Sequence, residues 1–246
     1  MRCHLCHALF YLVLLLVAPA TALKLRYFDA RGAAEVSRVL LALTDITYED
    51  HRYKIERKDG GGFSTPEFTS DKESGALAPN LDRAPLLEID GQPIGQSKAI
   101  ERYVAAQGGL MGKSPIEAAI IDSVAEHVRD VKDAQSRKGF GMFNRDKTDE
   151  EKAALKAEWF ETDLPSWLAR MERCVAPIEA IVCGSGELPS YAAVCIWSLL
   201  REGSEEDLAL VATAAEGCAK LNAIADAVAT HPRVAAWVAS RPVTMM

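Results

Sequence analysis

The stretch that decides the fold is residues 23–43, LKLRYFDARGAAEVSRVLLAL. In its first six residues, every second side chain, beginning with Leu23, belongs to one apolar set, and this period of two predicts a strand. After Gly32 the apolar residues fall three or four apart, which predicts a helix with one apolar stripe. That stripe comprises Val36, Val39, Leu40 and Leu43. Residues 47–53 then predict a second strand, so the chain begins β-α-β.

Strand and helix patterns continue to residue 104. Gly60-Gly61-Gly62 indicates a flexible loop, and residues 63–73 form a polar, weakly helical segment. A β-hairpin is predicted at 85–95 around an Asp90-Gly91 turn. The helix after it carries its apolar face on Ile100, Tyr103 and Val104. The predicted order is β-α-β-α-β-β-α.

Beyond a glycine-containing linker at 105–114, every pattern is helical. The first long helix has an apolar stripe through Ile116, Ile120, Val124, His127, Val128 and Val131. A second long helix covers 155–168, and Pro165 is expected to kink or strain it. Further helices are predicted at 191–200, 212–229 and 234–240. These patterns predict a separate all-helical part.

Residues 1–22 have the features of a secretory signal peptide. Arg2 supplies a positive charge, residues 9–17 are uniformly apolar, and Ala20-Thr21-Ala22 is a small-x-small cleavage site. The alternative is a retained membrane anchor, but the apolar run is shorter than the roughly 20 residues that a span needs. We therefore expect cleavage before Leu23, and a protein that is secreted or resides in an endomembrane lumen without stable membrane insertion.

Charge and cysteine content exclude several classes of site. The 246 residues include 28 Lys and Arg against 35 Asp and Glu, a net charge of −7, so no basic surface for nucleic acid is expected. Beyond residue 22 no C-x-x-C occurs, and neither a zinc nor a redox motif is predicted. The apolar neighbours of Cys195 indicate that it is a buried hydrophobic side chain. The alternative is that the four cysteines beyond residue 22 form one disulfide bridge.

Five motifs follow one another along the chain. They are 25–35 (LRYFDARGAAE), 48–52 (YEDHR), 84–91 (APLLEIDG), 96–100 (QSKAI) and 234–242 (VAAWVASRP). In this order they resemble the cytosolic glutathione transferases, and most closely the sigma-like group that includes prostaglandin D synthases. The resemblance covers residues 23–246. It implies an α/β thioredoxin-like N-terminal domain at 23–106, which binds glutathione, and an all-α C-terminal domain at 115–246, which holds a hydrophobic electrophile.

Tyr27 is the residue that we expect to activate glutathione. A thiol with a pKa of about 8.5 is mostly protonated at neutral pH, and the thiolate is the nucleophile. Tyr27 ends the first strand just before the 29–32 loop, so its hydroxyl would reach a cleft and donate to the sulfur. Strand position alone favours a core tyrosine, whereas the resemblance favours the catalytic role.

The resemblance also implies the other glutathione contacts. Ala84-Pro85 is expected to be a cis bond whose neighbouring backbone pairs with the peptide. Gln96 and Ser97 stand at a helix N-terminus, which favours the γ-glutamyl carboxylate; plain N-capping by Ser97 is the alternative. Phe68 and Lys72, which are four positions apart on a predicted helix, would lie near the glycyl carboxylate of glutathione. The alternative is that Lys72 is simply solvated.

Asp130 lies about 40° from the apolar stripe of the long helix at 100° per residue. In the resembled family, an acidic residue at this place reaches the amino group of the ligand across a dimer interface. The resemblance thus implies a homodimer with shared sites. The alternative is a solvated carboxylate at the edge of the stripe.

The second-substrate pocket is expected to be apolar, as hydrophobic electrophiles require. Its predicted lining is Phe28, Ala30, Ala33, Met142 and Phe143. Two positions depart from the family. Ala33 replaces an arginine that often stands beside the catalytic tyrosine, and Ala193 replaces the aspartate of a helix cap.

These features predict a glutathione transferase with a detoxifying role, in which glutathione is a co-substrate and neither a permanent cofactor nor a metal takes part. A glutathione-dependent peroxidase or isomerase would use the same site. The alternative from another class is a non-catalytic relative that binds ligands or serves a structural role. Tyr27, Gln96 and Ser97 favour the enzyme, whereas Ala33 and the leader favour the relative.

Overall fold

The computed structural model describes residues 22–59, 61–141, 144–184 and 186–244. Its α/β part comprises β1 (Leu23–Phe28), α1 (Glu35–Thr44), β2 (Glu49–Tyr53), β3 (Glu56–Arg57), β4 (Phe63–Ser64), α2 (Pro66–Glu73), β5 (Leu86–Ile89), β6 (Gln92–Gly95) and α3 (Ser97–Gln107). The helical part comprises α4 (Pro115–Lys138), α5 (Asp149–Glu158), α6 (Leu164–Val175), α7 (Glu179–Cys183), α8 (Tyr191–Leu200), α9 (Glu205–Ala214), α10 (Ala219–Thr230) and α11 (Pro232–Ser240). An α/β domain followed by a helical domain is the predicted fold class.

Four strands form the main sheet in the order β2-β1-β5-β6. β1 is parallel to β2, as the β-α-β pattern predicts, and antiparallel to β5. Leu25 lies opposite Leu87, and both are fully buried under α1 and α3. The two-residue ladder of β3 and β4, on either side of the glycine-rich loop, was not predicted. The predicted linker begins too early, since α3 continues through Gln107.

α8 forms the centre of the helical domain, and every one of its residues is buried. α4 packs against it, and this contact corrects the predicted stripe. The buried residues of α4 are Ile121, Val124, Ala125, Val128 and Val131. Ile116 is 73% exposed and His127 is also exposed, because the face that meets α8 is rotated toward Ile121 and Ala125.

Two features interrupt the predicted helices. A π-helical turn at Trp159–Asp163 separates α5 from α6 just before Pro165, where the sequence predicts a kink. The single helix predicted at 212–229 is wrong, because the chain turns between α9 and α10. There the Asn222 side chain donates to the carbonyls of Ala215 (2.8 Å) and Cys218 (3.0 Å), which closes the turn.

Several smaller predictions can also be compared with the structure. Cys195 is buried as predicted, and Cys174, Cys183, Cys195 and Cys218 are all free thiols. α8 is capped without an aspartate, because the Ser190 hydroxyl accepts from the Ala193 N–H at 3.2 Å. None of the helices in the described residues is long and apolar enough to cross a bilayer. Residues 1–21 of the predicted leader lie outside the described residues.

Candidate active site

Tyr27 lies at the end of β1, with its hydroxyl against the turn that leads into α1. The hydroxyl oxygen accepts a hydrogen bond from the Ala33 N–H at 3.0 Å. Gly32 has a φ of +39°, and a Cβ there would lie 2.6 Å from the same oxygen, so only glycine fits. Because the oxygen accepts from the backbone, its own proton is available to a ligand.

Arg38 is a fully buried residue that sequence reasoning missed. Its guanidinium donates to the Ala30 carbonyl at 2.7 Å and to Asp50 at 3.2 Å. Its Cζ also lies 5.8 Å from the centre of the Tyr27 ring, which is a cation–π distance. Arg38 therefore fixes the turn against which the Tyr27 hydroxyl lies. An arginine within the apolar run of 36–43 was the signal for this role.

The Ala84-Pro85 bond is cis, as the resemblance implies. Beside it lies Asn80, only 4% exposed and also missed from the sequence. Its side-chain amide donates to the carbonyls of Pro85 (2.8 Å) and Arg83 (3.0 Å), and its Oδ1 accepts from the Gln96 N–H at 3.0 Å. Asn80 thus joins the proline loop to the start of α3. In the sequence, the Ala-Pro-Asn pattern at 78–80 predicts only a turn.

Gln96 precedes α3 with a φ of +68°, a left-handed conformation that is rare outside glycine. Its side chain is exposed, and Ser97 is the first residue of the helix. Plain N-capping by Ser97 is therefore wrong, since Gln96 holds the cap position and no side-chain cap bond forms. The first N–H groups of a helix have no intrahelical acceptor. Ser97 and these N–H groups offer several donors at one place.

Phe68 and Lys72 lie on α2 in different surroundings. The Phe68 ring packs against Phe28 at 4.8 Å and Tyr53 at 5.5 Å between ring centres. Asp71 fixes the helix to the sheet, accepting from the Tyr53 hydroxyl at 2.7 Å and from an Arg26 nitrogen at 2.9 Å. Lys72 is exposed and forms no ion pair within the described part of the chain.

A cleft of about 640 Å³ lies between the turn after β1 and the helical domain. Its apolar wall consists of Phe140, Phe160, Leu199, Leu208 and Val211. Its polar wall includes Arg31, Glu35, Lys132, Gln135, Ser136, Asn144, Ser198, Glu202 and Asp207. Half of its lining residues are therefore polar or charged, whereas the sequence predicts an apolar pocket.

The residues predicted for this pocket lie elsewhere or cannot be placed. Phe28 packs on α2, and Ala30 is 4% exposed beneath the turn, so neither lines the cleft. Ala33 is exposed, with its N–H on the Tyr27 hydroxyl. Met142 and Phe143 lie outside the described residues, although their neighbours Gly141 and Asn144 line the cleft. The cleft lining comes from segments far apart in sequence, which local patterns do not bring together.

A buried ion-pair network connects the two domains at the polar wall of the cleft. Glu35, 4% exposed, accepts from Arg241 at 2.7 Å and from the Trp237 indole at 2.9 Å. Arg241 also contacts Glu202 at 2.9 Å, and Glu202 lies 3.4 Å from Arg31. Burial alone would lower the pKa of Arg241, but the bonds to Glu202 and Glu35 raise it. The 234–242 motif thus anchors the end of the chain to α1.

Asp130 lies on the exposed side of α4 in the single chain. Its predicted contact with glutathione in a second subunit therefore stays a prediction. Near it, Glu126 binds Arg129 on the same helix and Arg102 on α3, which lowers the pKa of Glu126 against the effect of burial. This face of α4 and α3 is consequently rich in charges.

Two family models match the chain: the glutathione S-transferase N-terminal domain at residues 23–106 and the C-terminal domain at 134–241. Hematopoietic prostaglandin D synthase of Gallus gallus is 31% identical over 90% of this chain and 97% of its own. Glutathione S-transferase 1 of Ascaris suum is 27% identical over 90% and 97%. The solved Nu-class enzyme of Haemonchus contortus aligns with a TM-score of 0.72 at 25% identity, covering 92% of this chain and 100% of its own. By sequence and by fold, the chain belongs to the glutathione S-transferase family.

Proposed function

We propose that the protein conjugates glutathione to electrophiles, with Tyr27 stabilising the thiolate. The observation that carries this proposal is the bond from the Ala33 N–H to the Tyr27 hydroxyl oxygen, because it leaves the phenolic proton free for the sulfur. Glutathione releases its thiol proton to solvent, and the thiolate accepts the Tyr27 hydrogen bond. The sulfur then attacks the electrophilic carbon; a C–S bond forms and the leaving group departs with its electron pair.

Glutathione is held by groups around the edge of the sheet. The backbone beside the cis proline pairs with the peptide, and Asn80 fixes that loop relative to Gln96. Ser97 and the N-terminus of α3 receive the γ-glutamyl carboxylate, since helix N-termini favour anions. The electrophile occupies the cleft next to Gly32, which precedes the Ala33 N–H that binds the Tyr27 hydroxyl. Such positioning lowers the barrier by proximity.

Two further proposals rest on the sequence. The enzyme forms a homodimer in which Asp130 contacts glutathione bound to the other subunit. Residues 1–22 are removed, so that the mature chain begins at Leu23 in the secretory pathway. N-terminal sequencing of the protein from its native source tests the second proposal, and an intact Met1 in a membrane fraction contradicts it.

Two measurements together test the activity. The purified protein should be retained on glutathione-agarose, should elute with free glutathione, and should conjugate 1-chloro-2,4-dinitrobenzene. S-methylglutathione is the matched control, because it can occupy the same site but has no thiol to react. Retention without turnover would contradict the proposal and favour a non-catalytic relative. Turnover without retention would contradict the assigned glutathione site.

A further inference from the structure

Lys132 is a lysine of α4 that the proposed mechanism does not use. It lines the cleft, and its Nζ donates to the Ser198 hydroxyl at 2.7 Å. Ser198 is 6% exposed and lies on the fully buried α8. An ammonium group has three donors, and Ser198 is the one acceptor that the described residues give it. Two donors of Lys132 are therefore free.

The acids around Lys132 have other partners. Glu101 on α3 accepts from Lys98 at 2.9 Å and from the Tyr191 hydroxyl at 2.8 Å. Glu202 is bound by Arg241 and lies beside Arg31. Among the described residues, no carboxylate lies within ion-pair distance of Lys132.

Burial also disfavours the charged form of Lys132. It lowers the pKa of Lys132, and the nearby Lys98 lowers it further, while Glu101 and Glu202 only partly compensate. A partly buried cation without a counter-charge is unfavourable, and an anion from solution would relieve this cost.

The remaining cleft cation, Arg31, already has Glu202 beside it. The carboxylates that line the cleft also have cationic partners, because Arg241 binds Glu35 and Glu202, and Lys156 lies 2.8 Å from Asp207. The charge without a counter-charge is therefore the positive one at Lys132 Nζ.

The apolar wall of the cleft includes Phe140, Phe160 and Val211. A cleft with an apolar wall and one uncompensated cation fits a ligand with a hydrophobic body and a single negative group. We propose that Lys132, together with Ser198, binds a carboxylate on the electrophile, so that this enzyme prefers hydrophobic electrophiles that carry an acid. The proposal rests on the transferase function proposed above, because it names the substrate class of that site.

A matched pair of electrophiles tests the preference. 4-Chloro-3,5-dinitrobenzoate carries the carboxylate, and 1-chloro-2,4-dinitrobenzene lacks it; in both, sulfur displaces chloride. In Lys132→Met, kcat/KM for the benzoate should fall about 10- to 100-fold, the range of a hydrogen bond to a charged group. The value for the neutral electrophile and the KM for glutathione should change less than about twofold. Lys132→Arg should retain the preference, because it keeps the charge.

Lys113→Met is the control, since it removes one exposed lysine just before α4 and leaves the cleft intact. It should behave as the wild type with both electrophiles. An equal loss with both electrophiles in Lys132→Met, or no loss with either, would overturn the proposal.

A binding measurement separates this proposal from the transferase function. Calorimetric titration of the benzoate, without glutathione, needs no turnover. The wild type should bind it at least about tenfold more tightly than Lys132→Met does. Absence of turnover with this difference intact would contradict the transferase proposal alone. Equal binding by both proteins would overturn the carboxylate site alone.

Discussion

The two sides of the site differ in where their residues come from. The proposed glutathione side comprises Tyr27, the 84–85 loop and the start of α3, all within one α/β domain and held largely through backbone groups. The electrophile side combines the turn after β1 with side chains of α4 and α8, such as Lys132 and Ser198, which are 66 positions apart. Short motifs specify the first side. The second side depends on how helices pack, and its chemistry differs from the expected apolar pocket.

The largest effect is expected where the two sides are joined. Glu35→Ala removes the acceptor of the Trp237 indole and one of the two carboxylates that bind Arg241; the other, Glu202, remains. Because each hydrogen bond to a charged group contributes about 1.5–3 kcal/mol, the loss of two should lower the free energy of unfolding by about 3–5 kcal/mol, measured by urea denaturation. Glu216→Ala, at an exposed position, is the control and should change it by less than about 0.5 kcal/mol. Equal stability of the two variants would show that the domains do not depend on this network.

The next effect concerns the glutathione side alone. Tyr27→Phe should lower kcat with 1-chloro-2,4-dinitrobenzene by about 10²–10³, the range for losing one preorganised donor. Glutathione affinity should change little, because other groups hold the peptide. Tyr103→Phe on α3 is the control, since Tyr103 packs against the core away from the turn. Unchanged turnover in Tyr27→Phe would remove Tyr27 from the mechanism.

Asn80 tests whether the glutathione side depends on side chains as well as backbone. Asn80→Ala leaves the Pro85 carbonyl and the Gln96 N–H without their buried partner. The free energy of unfolding should fall by about 2–3 kcal/mol, and the KM for glutathione should rise. Asn80→Asp keeps the acceptor for Gln96 and loses the donors, so its KM should lie closer to the wild-type value. A rise in KM that is equal in both variants would contradict the role of the Gln96 bond.

The smallest effect is expected at Asp130. Asp130→Ala should weaken glutathione binding about fivefold to tenfold, as expected for one charge-assisted hydrogen bond at an exposed residue. Asp133→Ala, on the same helix and 3.7 Å from Arg129, should leave the affinity unchanged. Calorimetry measures the glutathione affinity of both variants, and sedimentation measures the oligomeric state. A fully active monomer would contradict a site shared between subunits.

The successes of the sequence analysis follow from local chemistry. α1 and the β5–β6 hairpin were predictable because periodicity and an Asp-Gly turn specify them within a few residues. In the predicted stripe of α4, Val124, Val128 and Val131 are buried, whereas Ile116 and His127 are exposed. Several apolar stripes fit this helix, and only its contact with α8 selects one. Lys132 gave no signal at all, because a lysine on a long amphipathic helix is usually solvated.

The bond between Glu35 and Arg241 spans 206 positions of the chain. During synthesis at roughly 5–20 residues per second, Glu35 emerges about 10–40 s before its partner. Throughout that interval, Glu35 has the cation of Arg38, 3.6 Å away on the same helix, but lacks the closer one of Arg241. The N-terminal domain therefore reaches its final packing only after the ribosome has made α11, although it comes first in the sequence. Nascent chains that end before residue 241 should be more open to proteases around α1 than the complete protein.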